Sequence, residues 1–360
     1  MNPMQRSLFV AISSHGYGHI AQVGPVLARL AQVMPDLSIV IQCGAKRAQL
    51  ESMLLFPFQL IEHADDFGML MHNALDIDVE GSHRAYLDFH RDLPARIQAA
   101  RERIQSVKPD LVLSDVPYVV NVAARQLGIP VINLSSLEWA DIYPSYCGHM
   151  PGASQVIEQM VDAYNQAECF LAPEPSMPMP SIEKVIPIGP IARIGTNRGD
   201  EIRKTLQLDP AVKLVLFSHG GVGFRLDPRY WTRKEGIHVL MEIRHCPTCP
   251  GATAIETLPY SYIDLMCSSD AFIIKPGYGS FAESACNGIP VIYTRRPDWP
   301  EEPSLVQWIN EKANCLELSR EHLEKGQFLD SLHALWSQAR KPKVEPTGIA
   351  QAVDILVQYF

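Results

Sequence analysis

The sequence predicts an α/β protein with two doubly wound, Rossmann-like domains that face each other across a cleft. Short apolar runs of strand length alternate with helical segments from one end of the chain to the other. This alternation is typical of parallel sheets covered by helices on both faces. A proline-rich segment interrupts the alternation near the middle, and 360 residues suffice for two domains that each bury a core.

The first half of the chain shows the alternation most clearly. Apolar runs predict strands at 7–13, 37–42, 55–61, 111–114 and 131–134. Apolar residues at helical spacing predict helices over 19–33, 83–107 and 118–127. Because ligands of such sheets bind at the carboxyl ends of the strands, the loops that follow the strands are the candidate site segments.

The proline-rich segment predicts a domain boundary. Six prolines lie between residues 173 and 193, which argues against a helix or an interior strand there. We therefore predict a linker at 173–198 that joins an N-terminal domain, 1–172, to a C-terminal domain, 199–345.

The second half repeats the pattern. Apolar runs predict strands at 214–217, 237–241, 271–275, 291–293 and 315–318. Apolar residues at helical spacing predict a last helix over 348–359. We expect the segment 346–360 to pack back on the N-terminal domain.

Charge and hydropathy limit the classes of partner. The formal net charge is −9 and no basic run is present, which argues against nucleic acid as the main partner. No apolar run approaches the roughly 20 residues that span a bilayer, so no transmembrane segment is expected. The first seven residues are too short and polar to precede a signal peptide, and we expect a cytoplasmic protein.

One pair of the eight cysteines has the spacing of metal ligands, Cys246 and Cys249 in Cys-Pro-Thr-Cys. A zinc site and a redox pair are both open for it. Because no second pair of cysteines or histidines accompanies it, two surface thiols in a loop are the favoured interpretation. No metal is expected.

A glycine-rich loop follows the first strand and leads into a helix. Gly16 and Gly18 alternate with His15 and His19. The N-terminus of a helix carries a partial positive charge, which favours the neutral imidazole that a general base requires. His19 begins the helix and is the stronger candidate. A loop whose glycines only permit tight packing is the alternative, and the dinucleotide-binding pattern is not met.

Asp115 ends the strand at 111–114 and is expected at the same sheet edge as His19. A carboxylate that accepts from one imidazole nitrogen fixes the tautomer and stabilises the imidazolium. The alternative is a helix cap for the helix near Tyr118.

The stretch 270–283 predicts another strand that leads through a turn into a helix, with residues suited to bind a phosphorylated ligand. Gly277, Tyr278, Gly279 and Ser280 open the helix and offer amides and a hydroxyl to a diphosphate. Glu283 lies one turn further and suits the two hydroxyls of a ribose. The amides supply a positive field, so no metal is required. The alternative is an ordinary strand-to-helix turn.

Polar residues follow two further strands of the second half. Arg295 and Arg296 suit phosphate or carboxylate, whereas Glu301 and Glu302 suit sugar hydroxyls. A solvated loop with internal ion pairs is the alternative. The small residues of the loop after the first strand of this half give a weaker signal, carried by His219, Gly220 and Gly221.

These residues together resemble the GT-B glycosyltransferases, above all plant-type UDP-glycosyltransferases and the bacterial enzyme that adds N-acetylglucosamine to lipid-linked muramyl peptide. Residues 275–283 read Lys-Pro-Gly-Tyr-Gly-Ser-Phe-Ala-Glu, where the plant signature is His-Cys-Gly-Trp-Asn-Ser-x-x-Glu. The resemblance implies that Ser280 and nearby amides bind the donor diphosphate and that Glu283 binds the ribose. Lys275 replaces the family's leading histidine and offers a positive charge in its place.

The resemblance extends in both directions along the chain. Glu301 and Glu302 stand where the family has an acid–glutamine pair that holds the sugar, and 277–303 also resembles the N-terminal half of plant L-arabinokinases. Gly18-His19 resembles the family's Gly-His loop, whose histidine is the base, and Asp115 matches its aspartate partner.

The resemblance implies an inverting hexosyltransferase that needs no cofactor besides its nucleotide-sugar donor, with UDP as the family's nucleotide. The acceptor would be a small-molecule or lipid-linked hydroxyl compound. A UDP-sugar 2-epimerase and a non-catalytic nucleotide-sugar-binding protein are alternatives. Neither the acceptor nor the oligomeric state is predicted.

Overall fold

The structure is a computed structural model that describes residues 6–13, 17–72, 76–219, 226–245, 248–296 and 298–360. The chain divides into two compact units. The first contains the described residues up to Ile191 together with Thr347–Phe360, and the second contains those of Ala192–Pro346. Each unit is built around one parallel sheet.

The sheet of the first unit has seven parallel strands in the order β3-β2-β1-β4-β5-β6-β7. The strands are β1 (Ser7–Ala11), β2 (Ser38–Cys43), β3 (Gln59–Glu62), β4 (Leu111–Ser114), β5 (Val131–Leu134), β6 (Cys169–Pro173) and β7 (Val185–Ile188). The central strands β1, β4 and β5 are buried along their whole length. Their unbroken apolar character follows from this burial, because helices cover both faces of the sheet.

Among the described residues of the first unit, seven helices lie between the strands. They are α1 (Tyr17–Val33), α2 (Arg47–Met53), α3 (Val79–Arg91), α4 (Leu93–Val107), α5 (Val119–Gln126), α6 (Trp139–Cys147) and α7 (Ala153–Tyr164). The single long helix predicted at 83–107 is wrong, because the chain breaks at Asp92 into two helices. Proline lacks an amide hydrogen and is best tolerated in the first turn of a helix, which is where Pro94 lies in α4.

Part of the predicted linker at 173–198 belongs to the first sheet. The strand β7 pairs with β6 at the sheet edge, with Pro187 aligned with Ala172. An edge strand accepts a proline because one side of its backbone needs no partner. The division between the units falls after Ile191.

The sheet of the second unit has six parallel strands in the order β10-β9-β8-β11-β12-β13. The strands are β8 (Lys213–Ser218), β9 (Ile237–Met241), β10 (Ala252–Ala254), β11 (Ala271–Ile274), β12 (Val291–Tyr293) and β13 (Cys315–Glu317). The helices are α8 (Gly199–Thr205), α9 (Tyr262–Cys267), α10 (Tyr278–Asn287), α11 (Glu302–Lys312), α12 (Arg320–Glu324) and α13 (Leu329–Ser337). Buried side chains of the central strands, among them Phe217 and Ile273, form the core on one sheet face.

The last helix, α14 (Gly348–Leu356), packs against α1 in the first unit. The amide of Gly348 donates to the carbonyl of Pro190 at 3.1 Å, and the amide of Gly189 donates to Gln351 Oε1 at 2.6 Å. A Cβ atom at Gly348 would lie 1.9 Å from the carbonyl oxygen of Gly189. Glycine is therefore required where the helix begins.

Within the described ranges, no helix combines the length and the apolar character needed to cross a membrane. In the part of the chain that the structure describes, six cysteines are free and buried, namely Cys43, Cys147, Cys169, Cys267, Cys286 and Cys315. Cys249 is disulfide-bonded, so the expectation of a free surface thiol there is wrong. Cys246 lies outside the described residues.

Candidate functional site

The first candidate site joins His19 and Asp115 at the carboxyl edge of the first sheet. The strands β1 and β4 are neighbours, and Ala11 aligns with Ser114 in their register. Asp115 follows Ser114 directly, while His19 lies in the first turn of α1, the helix that follows β1. The Nδ1 atom of His19 lies 2.8 Å from Asp115 Oδ2. The structure thus brings together the two residues that the sequence suggests as a pair.

Both partners are largely withdrawn from water, with side-chain exposures of 9% for His19 and 0% for Asp115. The amide of Ser13 donates to the same Oδ2 atom at 3.3 Å. The capping alternative for Asp115 is wrong, because Tyr118 precedes α5 and no side chain caps that helix. Asp115 therefore binds the imidazole of His19 and the backbone of the loop after β1.

Two electrostatic effects act on the imidazole in opposite directions. The N-terminus of α1 disfavours the imidazolium by about 0.3–1 kcal/mol. A charge-assisted hydrogen bond to a buried carboxylate favours it by about 1.5–3 kcal/mol. Of these two effects the carboxylate is the larger, and it favours the imidazolium. With Nδ1 donating to Asp115, Nε2 is the basic nitrogen of the neutral ring.

A second buried carboxylate, Asp66, belongs to the same cluster, and the sequence interpretation missed it. Its Oδ2 atom accepts from Ser13 Oγ at 2.7 Å and from Trp139 Nε1 at 3.1 Å. Burial raises the pKa of Asp66, whereas the bond from Ser13 and the charge of His19 lower it. The signal for it is weak, because Asp66 lies several residues after the end of β3, whereas Asp115 follows β4 directly.

Neighbouring side chains hold the segment that carries Asp66. Asp65 Oδ1 accepts from Arg103 Nη2 at 2.6 Å, and Asp65 Oδ2 accepts from Gln42 Nε2 at 2.6 Å. Arg103 Nε also donates to Gln42 Oε1 at 2.7 Å. These three hydrogen bonds hold the segment against β2 and α4. They thereby restrict the position of the neighbouring Asp66.

The remaining candidates of the first loop contribute less. Gly18 is exposed, and an added Cβ atom there would meet nothing within 4 Å. His15 and Gly16 lie outside the described residues.

The second candidate site is the turn between β11 and α10. Gly277 precedes the helix in an extended conformation and, as a glycine, has no side chain to cap the helix N-terminus. A Cβ atom at Gly277 would meet nothing within 4 Å, so the turn is open at this position. Gly279 and Ser280 follow in the first turn and are half-buried, whereas Tyr278 is buried. Uncapped amides at a helix N-terminus suit an anion.

Basic side chains collect at the carboxyl edge of the second sheet. Burial lowers the pKa of Lys275 to about 8, and the charges of Arg296 and Arg244 act in the same direction. Burial also lowers the pKa of His219 to about 3, together with the charges of His245 and Lys275. Cations that disfavour one another at close range are stabilised by an anion. Gly220 and Gly221 lie outside the described residues.

Glu283, the candidate ribose ligand, is bonded to Arg193 in this structure. Arg193 Nε donates to Glu283 Oε1 at 2.6 Å, and the Glu283 side chain is 5% exposed. Burial raises the pKa of Glu283, while Arg193 lowers it. The ion pair anchors α10 to the chain segment that enters the second unit.

The two candidate sugar ligands differ in their surroundings. Glu302 is fully buried and accepts from Arg295 Nε with one oxygen and from the amide of Arg296 with the other. These bonds engage both oxygens of Glu302 in the loop between β12 and α11, and its contact with a sugar stays a prediction. Glu301 accepts from Trp299 Nε1 at 3.2 Å. The guanidinium of Arg296 lies 4.1 Å from the centre of a Trp299 ring.

Within the described residues, no group of three or more histidine, cysteine or acidic side chains is placed to hold a metal ion. The two candidate sites are thus a histidine–carboxylate pair in one unit and an amide-rich turn with cations in the other.

Solved structures share this architecture. The calicheamicin glycosyltransferase CalG4 superposes with a TM-score of 0.66 at 15% identity, over 99% of this chain and 98% of the other. UGT2 from Phytolacca americana, solved with UDP-2-fluoro-glucose and pterostilbene, has a TM-score of 0.56 at 15% identity, over 98% and 94% of the two chains. The chain has the GT-B fold of these glycosyltransferases, and the predicted fold class is confirmed.

A curated relative matches in sequence. L-arabinokinase from Arabidopsis thaliana is 27% identical over 331 residues, which cover 88% of this chain and 31% of the relative. The chain therefore spans about a third of the length of that relative. No protein-family model matches the chain.

Proposed function

We propose that the chain is an inverting glycosyltransferase that moves a hexosyl group from a nucleotide-diphosphate sugar to an acceptor hydroxyl. The observation that carries the proposal is the 2.8 Å contact between His19 Nδ1 and Asp115 Oδ2, buried at the carboxyl edge of the first sheet. A base oriented by a carboxylate is the arrangement that deprotonates a hydroxyl. The GT-B fold and the open turn at Gly277 support the nucleotide-sugar part.

The proposed reaction is a single displacement. His19 Nε2 takes the proton of the acceptor hydroxyl, and Asp115 stabilises the imidazolium that forms. The acceptor oxygen attacks the anomeric carbon, and the bond between that carbon and the diphosphate oxygen breaks. The diphosphate leaves with the electron pair, so an α-linked donor gives a β-linked product.

The second unit would bind the donor. The amides of Gly279 and Ser280 and the ammonium of Lys275 would receive the diphosphate, whose charge increases as it leaves. Glu283 is the proposed ribose ligand and Glu301 the proposed sugar ligand. Because amides and cations supply the positive field, the proposal includes no metal.

UDP is the proposed nucleotide, supported by the UDP-sugar present in the structure of UGT2. The proposed acceptor class is a small-molecule or lipid-linked compound with a free hydroxyl. The half-buried setting of the basic cluster suits a phosphorylated donor better than a neutral one.

A binding screen followed by product analysis tests the proposal. A nucleotide sugar that binds the folded state raises its melting temperature, so UDP-, TDP- and GDP-sugars are compared with the free monosaccharides. The donor that binds is then incubated with acceptor pools, and the anomeric configuration of the product is determined by NMR.

The product distinguishes the rival functions. A β-linked product from an α-linked donor supports the proposal. An epimer of the sugar formed from the donor alone would indicate a 2-epimerase instead. Tight donor binding without any turnover, and without an effect of His19→Ala, would indicate a non-catalytic binding protein.

A further inference from the structure

We propose that Asp66 is a positioning residue of the His19–Asp115 pair, which it aligns through Ser13 and supports with its own negative charge. The inference rests on the proposed function and deepens it. It adds a third side chain to the candidate site, and it assigns Ser13 as the link between two carboxylates.

Ser13 bridges the two acids with different atoms. Its hydroxyl donates to Asp66 Oδ2 at 2.7 Å, and its amide donates to Asp115 Oδ2 at 3.3 Å. The same Asp115 oxygen lies 2.8 Å from His19 Nδ1. Asp66 therefore sets the position of the Ser13 backbone, and this backbone helps to set the carboxylate that orients the imidazole.

Trp139 also holds the carboxyl group of Asp66. Its indole Nε1 donates to Asp66 Oδ2 at 3.1 Å, and the Trp139 side chain is fully buried at the start of α6. Two donors on one oxygen hold the carboxyl group in place, and they oppose the effect of burial, which raises the pKa of Asp66. The bond from Ser13 is thus part of a defined geometry and not a contact of a rotating side chain.

The unused oxygen argues against a purely structural role. Among the described residues, Asp66 Oδ1 and Asp115 Oδ1 are buried and have no hydrogen-bond partner. A buried acceptor without a partner destabilises the folded state. Two such atoms in adjacent carboxylates are a cost that a chain selected only for its fold would have no reason to keep.

The titratable groups that face Asp66 come from four elements, namely His19 on α1, Asp115 after β4, Tyr86 on α3 and Tyr118 before α5. Burial raises the pKa of both tyrosines well above its usual value, so they carry no charge near neutral pH. The charge that Asp66 meets is therefore that of the histidine–aspartate pair. Removing the negative charge of Asp66 should therefore make the His19 imidazolium less stable.

An NMR titration of His19 tests the charge without requiring turnover. The imidazole signal, labelled with ¹³C and assigned by its loss in His19→Gln, is followed against pH in wild type and Asp66→Asn. The midpoint should fall by about 0.5–1 pH unit in Asp66→Asn. Asp88→Asn is the matched control, since it removes one exposed carboxylate of the same unit, and it should leave the midpoint unchanged.

The transfer assay tests the positioning. Ser13→Ala keeps the charge of Asp66 but removes its link, so kcat should fall by roughly 10-fold while the donor Kd stays constant. Ser13→Thr restores the hydroxyl and should recover most of the loss. Circular dichroism and melting temperatures show whether the variants remain folded.

The outcomes separate the two proposals. A His19 midpoint in Asp66→Asn equal to that of wild type overturns the role of the charge, even if glycosyl transfer is demonstrated. Full kcat in Ser13→Ala overturns the link. If no transfer is found with any donor while the midpoint shifts as expected, the proposed function fails and the electrostatic inference stands.

Discussion

At the scale of single residues, His19, Asp115 and Asp66 form the candidate site of the first unit. The pairing of His19 with Asp115 could be anticipated, because both follow neighbouring strands and residue type limited their roles. Asp66 could not be ranked in the same way, since the segment between β3 and α3 has no local pattern that predicts its path. Its contacts with Ser13 and Trp139 join residues 53 and 73 positions away.

Asp115→Asn tests the carboxylate. The amide keeps the size of the side chain but presents a neutral group to His19 Nδ1, so the imidazolium loses its partner. We expect kcat to fall by about 10²–10⁴-fold with donor affinity unchanged. Steady-state kinetics and donor titration by calorimetry measure the two quantities, and an unchanged kcat would remove Asp115 from the mechanism.

We expect Lys275 to give the proposed donor site a pH dependence. Its pKa is lowered to about 8, chiefly by burial, and a bound diphosphate interacts favourably only with the protonated form. Donor affinity should therefore be full below pH 8 and decrease as the pH rises through this value. Calorimetric titration of UDP between pH 6.5 and pH 9.5 measures it.

Lys275→Met is the control for this dependence. The variant should bind UDP more weakly at pH 7 and show a flatter curve between pH 7 and pH 9. An equally steep curve in Lys275→Met would assign the pH dependence to another group.

At the scale of helices and strands, the apolar runs predicted the central strands well, because burial on both faces leaves an unbroken apolar signal. The edge strand β7 was assigned to a linker since Pro187 and the prolines on either side of the strand hide that signal. The helices α6 and α7 were missed because Pro144 lies inside one of them and both carry polar residues among apolar ones. Local pattern does not reveal that tertiary packing will hold such segments.

Glu302 shows a related limit within a loop. A resemblance in sequence assigns it to a sugar, whereas the fold uses both of its oxygens to close the turn before α11. Both adjacent acids are buried, Glu301 at 4% and Glu302 at 0% exposure, and packing decides which bonds each of them makes.

The start of α14 depends on one glycine. In Gly348→Ala the Cβ atom would lie 1.9 Å from the Gly189 carbonyl oxygen, so the helix must shift away from the chain segment before it. We expect a loss of about 1–3 kcal/mol in the free energy of unfolding. Gly18→Ala is the matched control, because its Cβ atom would meet nothing within 4 Å. Urea denaturation of both variants measures the difference, and equal stability would contradict the packing.

At the scale of the whole molecule, the fold was predictable because it repeats one pattern twice in a single chain. Each unit has strands in doubly wound order, and each places its polar candidates at the carboxyl edge of its own sheet. The net charge of −9 conceals the local cluster of Lys275, Arg296 and Arg244 in the second unit. The composition argues against nucleic acid as the main partner, whereas the candidate site residues come from a few loops.

The most direct measurement is the turnover of wild type and His19→Ala at saturating donor, with donor affinity determined on the same preparations. We expect His19→Ala to bind the donor like wild type and to lose about 10²–10⁴-fold in turnover. Full turnover by His19→Ala would contradict the assignment of a base and, with it, the proposed mechanism.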